Sequence, residues 1–149
     1  MNKKIDSLIT AYISEDKEVI SNLANLSAIL YHNLENINWL GFYLANNQQE
    51  ELILGPFQGY QAISNIKFSA GVCGECARKK TTIIVPDVHC CEGHIACDIR
   101  SKSEIVIPIF QKDGSLYGVL DVDAPIKNRF TKVEQELLEN IVQKLEELL

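Results

Sequence analysis

The sequence predicts an α+β domain, a largely antiparallel central sheet with N-terminal and C-terminal helices packed on it. Apolar residues recur with a helical period at both ends of the chain, whereas those in the middle alternate with a period of two. One Asp-Gly pair also lies between two apolar runs in the second half, a strong hairpin signal. At 149 residues and 46% hydrophobic content, positions 1–149 read as a single domain able to bury its own core.

Residues 2–13 carry Ile5, Leu8, Ile9, Tyr12 and Ile13 on one helical stripe. After Ser14-Glu15-Asp16, a second helix reaching to about Ile37 aligns Val19, Leu23, Leu26, Leu30 and Leu34. Asn38 to Leu44 then alternates: Trp39, Gly41 and Tyr43 share one strand face, Leu40, Phe42 and Leu44 the other. The aliphatic face reads as core. The aromatic face suits either a half-buried sheet or the floor of a pocket. A turn at Asn46–Gln49 leads into a partner strand at Glu51–Leu54, which Gly55-Pro56 is expected to break. Further on, the pattern gives a short extended piece at Asn65–Phe68, a short helix at Cys73–Lys80 and a strand at Thr82–Val85. Residues 86–103 show no period and read as a long, fixed, functional loop. Strands at Glu104–Phe110 and Leu116–Asp123 flank the Asp113-Gly114 turn. Thr131 and Glu134 form a capping box for a last helix with Val133, Leu137, Ile141, Leu145 and Leu148 as its stripe.

Net charge of −6 argues against nucleic acid or an anionic membrane as a partner. No leader opens the chain and no apolar run is long enough for a membrane span, so the expected location is cytoplasmic. In a reducing compartment cysteines more often bind metal or do redox chemistry than staple a fold. All five lie between Gly71 and Glu104: Cys73, Cys76, Cys90, Cys91 and Cys97.

The second hairpin gathers acids. With Asp113-Gly114 as a two-residue loop, Glu104 falls opposite Asp123 and Val106 opposite Asp121. Glu104, Asp121 and Asp123 then share one face, an arrangement that costs stability and raises a carboxyl pKa. It suits recognition of an organic cation, or donation of a proton by a carboxylic acid. A register slip by one residue would instead scatter the acids into solvent.

The thiols admit two readings. Cys73 and Cys76 have the CxxC spacing of a zinc knuckle, and His89, Cys90, Cys91, His94 and Cys97 offer a second half without a clean ligand pair. Cys76 alternatively serves as a small buried hydrophobe. The redox reading places Cys73 near a helix start, where the macrodipole favours thiolate, and Cys97 beside His94 and Asp98. Two thiols meeting across a loop, with an acid cluster, fit reduction of an oxidised small molecule.

Several runs together resemble the free methionine-(R)-sulfoxide reductases, single GAF domains. They are Asn38 to Tyr43, Gly55 to Gly59, Gly71 to Gly74, Pro86 to His89, Gly93 to Asp98, Ser103 to Val106 and Gly118 to Asp123. The resemblance covers essentially the whole chain, and the Gly-His-Ile-Ala-Cys-Asp run is its most specific part. It implies reduction of the R epimer of free methionine sulfoxide, with no cofactor or metal, recycling by thioredoxin, and a possible homodimer. The family nucleophile falls on Cys97, the acids binding sulfoxide and amine on Glu104, Asp121 and Asp123, and the aromatic wall on Trp39 and Tyr43. A cysteine typical of the family, ten residues before Cys73, is replaced by Ile63, so the resolving role passes to Cys73, or else to Cys90 or Cys91. Two competing readings stay open at this point: a ligand-binding module without turnover, and a zinc-stabilised domain.

Overall fold

A computed structural model describes residues 2–90 and 100–149, with the backbone alone at Cys90. The order of elements is α1 (Lys3–Tyr12), α2 (Val19–Asn33), β1 (Trp39–Asn46), β2 (Glu51–Gln58), β3 (Asn65–Lys67), α3 (Gly71–Lys79), β4 (Ile83–Val85), β5 (Ser103–Phe110), β6 (Leu116–Ala124) and α4 (Lys132–Glu146). The six strands form one antiparallel sheet in the order β3-β2-β1-β6-β5-β4.

Strand alternation divides the interior in two. One sheet face carries Leu40, Phe42, Ile105, Ile107, Ile109, Leu120 and Val122 against the buried residues of α1, α2 and α4. On the other, Trp39, Tyr43, Val106 and Val119 pack with Cys73, Cys76 and Ala77 of α3. The chain is tied locally where its polar residues allow. Asn2 caps α1 by accepting from the Ile5 amide at 3.2 Å, and buried Asn22 bonds both backbone groups of Ser14 across the α1–α2 turn. The Thr131–Glu134 capping box opens α4. Among the described residues no helix is long and apolar enough to cross a membrane.

Tyr12 leaves the α1 stripe, at 53% exposure, and α2 stops at Asn33 rather than near Ile37. Three further expectations need correction. Gly55-Pro56 does not end β2, which runs on to Gln58. The β1 pairing shifts between Gly41 and Tyr43, so the pair sits in a bulge where proline's missing donor costs no ladder bond. In α4, Val133 lies on the outside, 73% exposed, while Leu138 and Val142 are buried beside Ile141 and Leu145. The helix is thus rotated toward 138/142, because its contact on β5 selects that face over the more N-terminal stripe. Finally, the β5–β6 loop has three residues, Lys112-Asp113-Gly114, closed by Gly114 N–H to Gln111 O (2.9 Å) and Gln111 N–H to Ser115 O (2.8 Å). Gly114 takes the left-handed φ of +87° this turn requires. The longer loop alone would move the register by one, but Tyr117 is an extra residue in β6 and moves it back. Glu104 therefore does pair with Asp123 and Val106 with Asp121.

Candidate functional site

The central pairing of β1 with β6 is what builds the site. It sets Trp39 beside Asp123, Gly41 beside Asp121 and Tyr43 beside Val119. On the far side of β6, Glu104 lies opposite Asp123. By alternation Glu104, Asp121 and Asp123 project from the same face as the two aromatic residues. All three acids are buried, with exposures of 4%, 1% and 3%.

Helix α3 lies over this face. Gly74 lets α3 run close against the end of β3, since a Cβ there would stand 2.6 Å from the Lys67 carbonyl oxygen. Buried Cys73, on the preceding residue, reaches the acids. Its Sγ and one carboxylate oxygen each of Glu104 and Asp121 lie within 4.8 Å of one another. Burial, then the neighbouring Asp123 charge, holds the Glu104 carboxyl well above the usual carboxylate range. Asp121 is raised by burial first and by Glu104 second, with the Cys73 thiol opposing through a hydrogen bond. Asp121 Oδ1 has no hydrogen-bond partner among the described residues. Both carboxyls therefore hold protons at pH values where ordinary carboxylates are bare. Cys76 sits one turn further along α3, fully buried, 3.7 Å from the Val106 carbonyl oxygen. Desolvation and the Asp121 and Glu104 charges push its thiol pKa up, which makes it an inert core residue.

The aromatic wall is a stack of three rings. Trp39 lies parallel to Phe57 at 5.3 Å and to Tyr43 at 6.0 Å between centroids. Trp39 and Tyr43 have no solvent exposure. Their polar ends are taken by the segment after β2: Trp39 Nε1–H donates to Tyr60 O at 3.0 Å, and Tyr43 O–H to Ile63 O at 2.9 Å. The Arg100 guanidinium in turn stands 4.6 Å above the Tyr60 ring. At the edge of the site, buried Asn38 and Ser101 bond at 3.1 Å, joining the start of β1 to the segment entering β5.

Residues 18–149 match the GAF domain family. The chain is 46% identical over 129 residues to the free methionine-R-sulfoxide reductase of Saccharomyces cerevisiae, spanning 83% of this chain and 72% of the relative. It is 42% identical over 139 residues to that of Escherichia coli, spanning 93% and 82%. The solved structure of fRMsr of Staphylococcus aureus in complex with substrate is 50% identical and superposes with a TM-score of 0.85, covering 98% of this chain and 91% of that one. The chain belongs to the free methionine-R-sulfoxide reductase family of GAF domains.

In this family member, then, five of the seven residues singled out from sequence are gathered on one sheet face: Trp39, Tyr43, Glu104, Asp121 and Asp123. Cys73 meets them from α3. Cys97 lies outside the described residues, as do Cys91, His94 and Asp98. Ile63, at the position of the missing cysteine, is 42% exposed beside the aromatic wall. The CxxC pair does not form a knuckle with His89, which is exposed, its amide N–H donating to Asp87. Sequence reasoning assigned no role to Phe57, Asn38 or Ser101. The stacking of Phe57 depends on the β2 bulge, which no local pattern announces.

Proposed function

We propose that this chain reduces free L-methionine-(R)-sulfoxide to methionine, with Cys97 as nucleophile, Cys73 as resolving thiol and thioredoxin as the final reductant. The observation that carries this reading is the burial of Glu104, Asp121 and Cys73 within 4.8 Å of one another, on a face walled by Trp39 and Tyr43. A buried, ionised carboxyl takes the substrate ammonium, and a protonated one donates to the sulfoxide oxygen. The aromatic rings hold the methyl-thioether end, where sulfur–aromatic contact is favourable.

The Cys97 thiolate attacks at the sulfoxide and the sulfur–oxygen bond breaks. The oxygen leaves on the cysteine as sulfenic acid, taking the proton supplied by the carboxyl. Methionine sulfur is reduced by two electrons and Cys97 sulfur is oxidised by two. Cys73 then displaces hydroxide, released as water, to form a disulfide, and a thioredoxin dithiol reopens it by exchange.

The test is NADPH consumption in a thioredoxin system with each epimer separately. Consumption with the R epimer alone, abolished by Cys97→Ser, is the expected result; equal rates with both epimers would overturn the reading. In Cys73→Ser one equivalent of methionine should form per protein before turnover stops. A second reading, a binding module that keeps the pocket and has lost the cycle, is favoured by Ile63, which brings no thiol to the aromatic wall. Substrate protection of Cys97 from alkylation without any turnover would select it.

A further inference from the structure

We infer that Phe57 is a positioning residue: by fixing the indole of Trp39 it makes the site select a methyl sulfoxide over one with a longer S-alkyl group. The inference rests on the reading that Trp39 walls the methyl-thioether end of the substrate. Two independent features of the chain bring Phe57 to the indole. The first is the bulge in β2. Carried on unbroken from the Tyr43–Leu54 pair, the β1–β2 ladder would set Pro56 opposite Gly41; the extra residue sets Phe57 there instead. Along the same stretch β1 pairs with β6 in an unshifted register, so the irregularity belongs to the β2 side alone. The second is Gly41. A Cβ there would stand 2.3 Å from Phe57 Cβ and 2.7 Å from Trp39 Cη2, so its absence leaves room for the two rings to stack, 5.3 Å apart at 16°.

After Phe57 the chain bends back over the same indole. Gly59, at φ +123°, passes so close that a Cβ would meet Trp39 Cδ1 at 2.7 Å, and Tyr60 O accepts the Nε1–H at 3.0 Å. Residues 57–60 thus supply a ring contact, a backbone contact and a hydrogen bond, and Tyr43 adds a further restraint by stacking. A ring held at several points cannot turn aside for a larger ligand. A hydrophobic pocket discriminates one methylene by roughly 10–200-fold, and only while its walls hold, since a wall that yields takes in the extra carbon. Of the three restraints from this segment only the Phe57 ring is a side chain, so it can be removed without altering the backbone.

The probes are methionine-(R)-sulfoxide and its ethyl homologue, ethionine-(R)-sulfoxide, offered separately to the full-length protein in the thioredoxin system. The readout is the ratio of their kcat/KM values. Phe57→Leu should lower the parent ratio by about tenfold, the worth of one methylene in a firm pocket, whereas Phe57→Tyr should keep it. Trp39 is the one tryptophan of the chain, so the tryptophan band in near-ultraviolet circular dichroism reports its packing. That band should weaken in Phe57→Leu and persist in Phe57→Tyr. A side chain that only fills space would lower both kcat/KM values together. An unchanged ratio in folded Phe57→Leu therefore overturns the inference, as does a parent that treats both sulfoxides alike. Phe57→Met, which keeps an apolar chain without the flat ring, carries the test if the leucine variant does not fold. Turnover of neither sulfoxide by the parent would refute the reductase reading alone. The ratio is then taken from dissociation constants followed by Trp39 fluorescence, and binding of neither would overturn the positioning role as well.

Discussion

Replacing Gly41 by alanine tests how tightly the aromatic stack depends on its neighbours. A Cβ at Gly41 would stand 2.3 Å from Phe57 Cβ, 2.7 Å from Trp39 Cη2 and 3.0 Å from Phe57 Cα. Carbon atoms pack best at about 3.5–4.0 Å, so two contacts fall short by roughly an ångström or more. Neither is relieved cheaply. Phe57 Cβ is fixed to the backbone of β2, and the Trp39 ring is held between Phe57 and Tyr43 with its N–H on Tyr60 O. Either β1 and β2 part in mid-sheet, or the indole tilts and gives up its hydrogen bond. Overpacking of this kind costs about 1–3 kcal/mol, and rigid neighbours on two sides put Gly41→Ala at about 2–3 kcal/mol. For a chain of this size that is a fall in Tm of about 4–12 °C. The control is Gly114→Ala, where a Cβ meets nothing within 4 Å and only the left-handed φ of +87° is strained, a cost of about 1–2 kcal/mol. Thermal unfolding of the two variants side by side decides the matter. A loss in Gly41→Ala no larger than in Gly114→Ala would refute the packing argument. Active Gly41→Ala protein should also show a raised KM for methionine sulfoxide, because Trp39 lines the proposed pocket.

Other outcomes follow from individual contacts. Thr131→Ala removes the α4 capping box and should cost about 1 kcal/mol in chemical denaturation. Tyr43→Phe leaves Ile63 O without its donor and should destabilise by about 1–2 kcal/mol, read as a lower denaturation midpoint at unchanged m-value. Stability should also depend on pH through the buried acids. The folded pKa values of Glu104 and Asp121 lie above the unfolded ones, so the native state binds more protons once pH exceeds the ordinary carboxylate range. Stability then falls as pH rises toward the raised values. Glu104→Gln should flatten that fall in a plot of Tm against pH, and a slope as steep as the parent's would show that the acids are not its source.

Much of the architecture was legible because its causes are local. The helices themselves, the α4 capping box and the alternation of β1 are each written in fewer than twenty residues, and these reappear in place. The Glu104–Asp123 pairing was also readable, although two deviations, the three-residue loop and the extra Tyr117, cancel to produce it. Neither the strand bulge at Gly55-Pro56 nor the rotation of α4 could be read in this way, since each answers to a partner distant in sequence.

The sequence by itself singled out the candidate residues, how they alternate along their strands, and that one hairpin would bring acids together. Only the tertiary structure decided that the acids meet the aromatic residues and Cys73. That meeting depends on β1 pairing with β6, some eighty positions apart, and on α3 closing over the opposite face from the other helices. No turn dictates either contact. Both are chosen because pairing β1 with β6 closes the ladder at the centre of the sheet and lets the two apolar faces be covered at once, a condition the whole chain satisfies together.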